Sequence, residues 1–342
     1  MIVKYKKTLA VAAGAGMVVA GLLASSPAAA DPNGAPTFRV LAGVGSDTTD
    51  RVMNGLSDVV LIGGVKQIAS YDATGSATIT TKDPALNAAC ANLPRPNGST
   101  AGRNALLSSL QANANAGNNC IDFARSSSSR GTFVSVPSMT FVPFAVDTTA
   151  LAVRGDGGLP RAYSVQDAID IYKCLFMPDV VPRLIQAGSG SRSSWLGTVG
   201  ITEAQISAGT FPCLIPTGTT VNSVAGTGRP AVQENDGRDL KTDEVMPYGV
   251  ANYTAQSAGV TGDLRGSAVI AQFDGKNPQV LNSNAWPVTR TVNNIIPTSK
   301  IGTAPWSTVF VGAGSLVCSN TATIQRFGYA PAANCGDTTS QS

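Results

Sequence analysis

The stretch Thr37-Phe38-Arg39-Val40-Leu41-Ala42, followed by Gly43-Val44-Gly45-Ser46-Asp47-Thr48-Thr49, decides the fold class. Its first six residues read as a buried strand, and residues 43–46 turn the chain out of it. From Thr49 onward Val52, Met53, Leu56, Val59 and Val60 recur at helical spacing. Ser46 or Asp47 is the predicted N-cap, and Asp50 lies in the first turn, where the helix dipole favours an acid. Strand, glycine turn and capped helix make one βα unit, so the chain reads as α/β.

The same alternation continues outward from this unit. Helix and loop are predicted over 85–118, around Leu106, Leu107 and Leu110. Cys120-Ile121-Asp122-Phe123-Ala124 reads as a short strand ending in Arg125-Ser126-Ser127. Met139 to Asp147 is apolar and extended, and Leu151 to Val153 prolongs it. A helix over Val165–Leu175 is announced by Ser164 as its cap, with Asp167 at the third helical position. Another helix is predicted near Trp195, residues 216–240 read as loop, and 245–253 as a strand with a tight turn.

The first thirty residues have a different character. Lys4, Lys6 and Lys7 precede an apolar run from Leu9 to Leu23, and Ala28-Ala29-Ala30 stands before Asp31. That order is expected of a secretory signal peptide over 1–30. The run is about fifteen residues, short of the roughly twenty that span a bilayer. The whole chain has 24 basic and 21 acidic side chains, and the three leader lysines account for the excess. A mature chain thus carries no net charge, which removes the basic surplus that a nucleic-acid binder exploits.

Six cysteines, at 90, 120, 174, 213, 318 and 335, form no CxxC pair. In an exported chain an even number reads as a disulfide framework. Six cysteines allow fifteen pairings, among which the sequence does not choose. Sequential pairing, Cys90 with Cys120, Cys174 with Cys213 and Cys318 with Cys335, keeps each bridge local and is the expectation. There is no histidine. Ser-His-Asp and Cys-His catalysis are therefore excluded, and the commonest zinc ligand is missing. No cysteine falls at the start of the mature chain, so no lipid anchor is expected there, and the protein reads as soluble in a periplasm or the medium.

Three Gly/Ser/Thr-rich turns, 43–49, 74–77 and 188–192, carry the chemistry. Such turns at helix starts present backbone N–H groups and a positive dipole end. Ser46, Thr48, Ser189 and Ser191 add hydroxyls, and Arg125 and Arg192 add fixed charge in a bidentate fork. Together they describe a site for an oxyanion or carboxylate held without metal or cofactor. The pairs Asp47/Asp50 and Asp156/Asp170 read as helix caps and solvated surface instead of catalytic carboxylates. Aromatics, at 6%, are too few for a carbohydrate-stacking groove.

In content and order these segments resemble the phosphate-binding members of the class II periplasmic solute-binding proteins, which feed ABC transporters. Gly43 to Thr49 resembles the family's first ligand turn, and Tyr71-Asp72-Ala73-Thr74-Gly75-Ser76-Ala77 its second. Asp122-Phe123-Ala124-Arg125-Ser126-Ser127 is similar to its Asp-Phe-Gly-Ala-Ser-Asp segment, and Pro143 to Asp147 to its crossover strand. Val165 to Tyr172 is similar to the Asp-Ile-Tyr helix, Gly188-Ser189-Gly190-Ser191-Arg192 to the Gly-Ser-Gly-Thr anion turn, and Pro247 to Val250 to the returning strand.

The resemblance implies a two-lobed periplasmic-binding-protein type II fold, each lobe a mixed sheet flanked by helices. One lobe would comprise 37–143 plus 250–335 and the other 144–249, with a hinge closing the cleft. It implies a monomeric, non-enzymatic receptor for a small anion, with an ABC permease as partner and no nucleic acid. The implied ligand residues are Gly45, Ser46, Asp47, Thr48, Gly75, Ser76, Arg125, Ser126, Ser127, Gly188, Ser189, Gly190, Ser191 and Arg192. Two departures stand out. Ser127 falls where the family has an aspartate that accepts a phosphate proton. Ile185 falls where it has an arginine, with Arg183 two residues earlier. The residues thus leave phosphate and other anions open. Two further readings also stay open, a secreted surface-interaction protein reusing the fold and a histidine-independent secreted hydrolase.

Overall fold

Strand β1, Leu41–Gly45, is buried at every position, as a strand covered on both faces must be. The computed structural model describes residues 31–32, 34–110, 118–130, 139–176, 179–277 and 288–339, and the leader read over 1–30 lies outside them. The strand begins later than predicted. Thr37 is exposed and Val40 half-exposed, and pairing starts only where Leu41 meets Ile68. Gly43 and Gly45 therefore lie inside the strand and do not form its turn. Gly43 is required by packing, since a Cβ there would sit 2.0 Å from the Phe123 ring.

Helix α1, Asp50–Val59, follows with Val52, Met53 and Leu56 buried as the spacing predicts. Its N-cap is Thr49, without a side-chain cap bond, which corrects the Ser46 or Asp47 expected. Strand β2, Ile68–Ser70, and β3, Phe123–Ser126, flank β1 in parallel. Helix α2, Ser99–Leu110, packs over them. Alternation along β1 separates two cores. Leu41 joins Met53, Phe123 and Phe310 on one face, whereas Ala42 and Val44 join Leu106, Phe141 and Ile295 on the other.

Strand β4, Met139–Arg154, runs for 16 residues and links these cores to another. Phe144 and Ala145 belong to the core around Phe123, while Leu151 and Val153 pack with Trp195. Helix α3, Val165–Tyr172, carries the predicted capping box of Ser164 and Asp167. It stops short of Leu175, and Cys174 takes a positive φ of 66° and bonds Cys213. Next come β5, Val181–Pro182, and α4, Gly190–Thr198, the helix expected near Trp195. In the segment read as strand and turn over 245–253, β6, Glu244–Gly249, runs directly into helix α5, Val250–Ser257.

With β7 (Ala268–Ile270), β8 (Thr289–Pro297) and β9 (Ala330–Pro331) the described residues form one nine-stranded mixed sheet. Its order is β5-β6-β4-β8-β3-β1-β2, and β7 and β9 also pair with β4. Tyr172, Trp195 and Phe273 stack at ring separations of 5.4 and 6.2 Å, geometry worth about 0.5–1.5 kcal/mol per pair beyond area burial. Ala271, Phe273 and Val288, which the sequence reading assigns to the first lobe, pack in this core with Trp195. The three disulfides are the sequential ones, 90–120, 174–213 and 318–335. Among the described residues no helix is long and apolar enough to cross a membrane.

Two glycines make the packing testable. A Cβ at Gly102 would lie 2.4 Å from the Gly45 Cα and 2.9 Å from the Val44 carbonyl, both backbone atoms that cannot turn aside. At Gly197, inside α4, nothing lies within 4 Å. Gly102→Ala is expected to cost roughly 1–3 kcal/mol, and Gly197→Ala to stabilise by about 0.4–1 kcal/mol, both read by denaturant unfolding.

Candidate functional site

Parallel pairing of β1 and β3, with Gly45 beside Arg125, delivers the turns after both strands to the same edge of the sheet. That edge, beyond the carboxyl ends of parallel strands, is where open α/β sheets bind ligands. The turn 46–49 and the turn 127–129 meet there. The start of α4 reaches them because residue 190 has no side chain. A Cβ at Gly190 would lie 2.4 Å from the Ser128 nitrogen and 2.6 Å from the Ser127 carbonyl carbon. Thr100 N donates to the Gly188 carbonyl at 3.2 Å and seats the same turn on α2.

The three turns are joined by their hydroxyls. Ser46 Oγ donates to Ser127 Oγ at 3.0 Å, and Ser127 N donates to Ser99 Oγ at 3.0 Å. Ser127 Oγ lies 3.5 Å from Ser191 Oγ, and Ser191 Oγ lies 3.0 Å from Thr48 Oγ1. Thr48 in turn donates to Glu234 Oε1. Gln186 Nε2 adds a bond to Asp47 Oδ2 at 2.8 Å. Beneath this layer lies Arg290, only 9% exposed. Its guanidinium donates to Asp147 Oδ2 at 2.8 Å, to Ser191 Oγ at 2.7 Å and to Thr149 Oγ1, and it lies 3.5 Å from Glu234 Oε1. With Glu234 ionised, the Thr48 hydroxyl gives its one proton to Glu234 and so accepts from Ser191.

Helix ends add to the field. The α5 N-terminus gives Ala251 N to Asp147 Oδ1 at 3.1 Å, and Asn252 Nδ2 and the Tyr329 hydroxyl both donate to the Thr48 carbonyl. The carboxyls pay for their burial in acidity. Burial raises Glu234 to about 7, helped by Asp47 and opposed by Arg290. Burial likewise raises Asp47 to about 6, against the Gln186 hydrogen bond, and Asp147 rises for the same reason against Arg290. Among the described residues no cluster of His, Cys, Asp and Glu is arranged to hold a metal ion.

The structure sorts the residues expected from sequence. Ser46, Asp47, Thr48, Ser127 and Ser191 come together as described. Gly45, Gly188 and Gly190 shape the approach, and Ser126 bonds within its own turn to Ser128. Ser189 is the α4 N-cap, accepting from Ser191 N and Arg192 N. Arg192 forms a bidentate pair with Glu203 at 2.6 and 2.7 Å. Arg125 is wholly buried behind the turn, donating to the Ser46 carbonyl at 3.2 Å and Ser70 Oγ at 3.0 Å. Gly75 and Ser76 are exposed, and Ser76 Oγ is held by Arg95 at 2.6 Å. The cation of the cluster is thus Arg290, which sequence reasoning missed along with Glu234, Asp147, Thr149, Ser99, Asn252 and Tyr329. Only Asp147 left a signal, as an acid closing an apolar run.

No family model matches this chain, and no curated protein matches its sequence. Solved structures do resemble it. A protein described as a phosphate ABC transporter substrate-binding protein, from Clostridium perfringens and with bound phosphate, superposes with a TM-score of 0.54. It is 11% identical, over 85% of this chain and 99% of its own. An ABC-type phosphate transport receptor from Vibrio cholerae gives 0.49 at 15% identity over 85% and 99%. A human phosphate binding apolipoprotein gives 0.47 at 14% identity over 85% and 90%. The chain has the mixed α/β fold of periplasmic binding proteins, as its motifs imply. Its structural neighbours include phosphate-binding proteins of ABC transporters.

The raised carboxyl groups set a pH dependence. A buried acid with a folded value of about 7 and an unfolded value near 4 holds its proton more tightly when folded. Its stabilising contribution is complete below pH ~4 and is lost as pH rises through about 7. Replacing Glu234 by Gln removes that titration. Between pH 5 and pH 7.5 the unfolding free energy of Glu234→Gln is expected to fall less than that of the parent. Equal slopes in parallel urea titrations would contradict the assignment.

Proposed function

We propose that the protein is an extracellular solute-binding protein that captures a small oxyanion, phosphate or a close relative, between two lobes for ABC-type uptake. The observation that carries this reading is the bonding of Thr48 and Ser127 to Ser191 directly over buried Arg290. Thr48 and Ser127 follow strands of the Phe123 side of the sheet, and Ser191 opens a helix packed in the Trp195 core. A ligand placed among them touches both lobes at once, which is what drives hinge closure.

The chemistry suits an oxyanion. Hydroxyls donate to it and Arg290 supplies charge. Thr49 adds a buried hydroxyl without a partner. In place of the family's acid at Ser127, Glu234 and Asp47 supply carboxyls that burial raises to about 7 and about 6. Asp47, Asp147 and Glu234 outnumber the arginine among them. The site therefore favours an anion that brings a proton, or meets these acids protonated.

Isothermal titration of the chain without residues 1–30 against inorganic phosphate, sulfate and acetate tests the reading. Ser191→Ala removes a hydrogen bond to a charged ligand, about 1.5–3 kcal/mol, so affinity should fall by roughly 10- to 100-fold. Ser191→Asp should abolish binding and Ser76→Ala should leave it unchanged. Loss of binding in Ser76→Ala would restore the turn 74–77 to the site. Failure of the parent protein to bind any of these anions would favour a surface-interaction protein that reuses the fold.

A further inference from the structure

Beside the buried hydroxyl cluster lies a pocket of about 400 Å³. It is bounded by the serines at 127–129, by Gly190, Ser193 and Ser194 of α4, and by Thr289, Arg290 and Thr291 of β8. Ser127, Gly190 and Arg290 are shared with the cluster, so the pocket reaches the guanidinium. Every other described lining residue carries a hydroxyl. Arg290 is nine-tenths buried, and its Nε is without a hydrogen-bond partner.

The size and lining of this pocket do not suit a bare ion. At ~30 Å³ per water it has the room of about a dozen waters, and an oxyanion of five heavy atoms fills a small part of that. Its volume falls in the range of small-molecule sites, about 300–1,000 Å³. Such sites are usually lined by apolar and aromatic side chains, whereas the described residues of this lining supply neither. An apolar or aromatic substituent would strand the hydroxyls without partners. A cationic one would meet Arg290 and, among the described lining residues, no carboxylate. A neutral, hydroxylated substituent exchanges its bonds to water for bonds to serine and threonine.

We propose that the solute is a phosphate monoester of a small polyol, with its phosphoryl group at Arg290 and its hydroxylated portion in this pocket. The proposal rests on the oxyanion reading above and narrows its ligand class. Direct readout is by isothermal titration with glycerol phosphate and inorganic phosphate, on the parent chain and on Ser193→Tyr. Ser193 is exposed on α4, so the tyrosine fills the pocket from outside the core, and thermal melting confirms the fold. The parent should bind glycerol phosphate at least tenfold more tightly than inorganic phosphate, and Ser193→Tyr should bring the two affinities together. Thr291→Val, which keeps the shape and removes a hydroxyl, should narrow the preference in the same direction. Inorganic phosphate binding as tightly as the ester in the parent would overturn the proposal and leave the oxyanion reading standing. A preference that survives Ser193→Tyr would also overturn it, since the pocket would not be its source. Binding of neither ligand would overturn both.

Discussion

A guanidinium taken out of water must be compensated where it lies, and the burial of Arg290 imposes that condition on this fold. The desolvation cost of an unpaired buried charge is several kcal/mol, and here Asp147, Thr149, Ser191 and Glu234 meet it from three separate stretches of chain. The pairing of β4 with β8 sets Arg290 directly opposite Asp147, so the ion pair and the strand register support one another. Asp147 is fixed further by the first turn of α5. Ser191 and Glu234 come from the side of the Trp195 core, and through them the cation ties the two sides of the sheet together.

Small residues let that arrangement close. Gly190 brings the start of α4 against the turn after β3, and Gly102 brings α2 against the end of β1. A methyl group at either place would separate the hydroxyl turns. Once in contact, the serines and threonines of the three turns bond to one another. On the proposed oxyanion reading, an anion would replace neutral hydrogen bonds with charge-assisted ones, which are about twice as strong. With Asp47 and Glu234 raised toward neutrality, that exchange would depend on protons as well as on the anion.

Local signals in the sequence were sufficient for much of this. The spacing of Val52, Met53 and Leu56, the pairing of Ser164 with Asp167, the long apolar run through 139–153 and the Gly188–Ser191 turn each describe a neighbourhood within one element. The three disulfides are also local. The charges were different. Arg125 and Arg192 stand beside the ligand-like turns in sequence, but a side chain on a strand or helix can point to either side of its element. One is drawn behind β1 and the other to Glu203. Arg290 owes its place to a strand pairing across 143 residues of chain, and Glu234 sits in a loop without periodicity. Neither position can be read without the register and the packing that create it.

The central claim is that a tetrahedral oxyanion sits at Arg290, among the turns at 46–49, 127–128 and 189–191. Anomalous diffraction from crystals soaked in arsenate, which matches phosphate in shape and charge, locates such an ion directly. One strong arsenic peak is expected within hydrogen-bonding distance of the Arg290 guanidinium and Ser191 Oγ. A peak at Ser76 and Arg95, or none at Arg290 when arsenate is bound elsewhere at full occupancy, would contradict it.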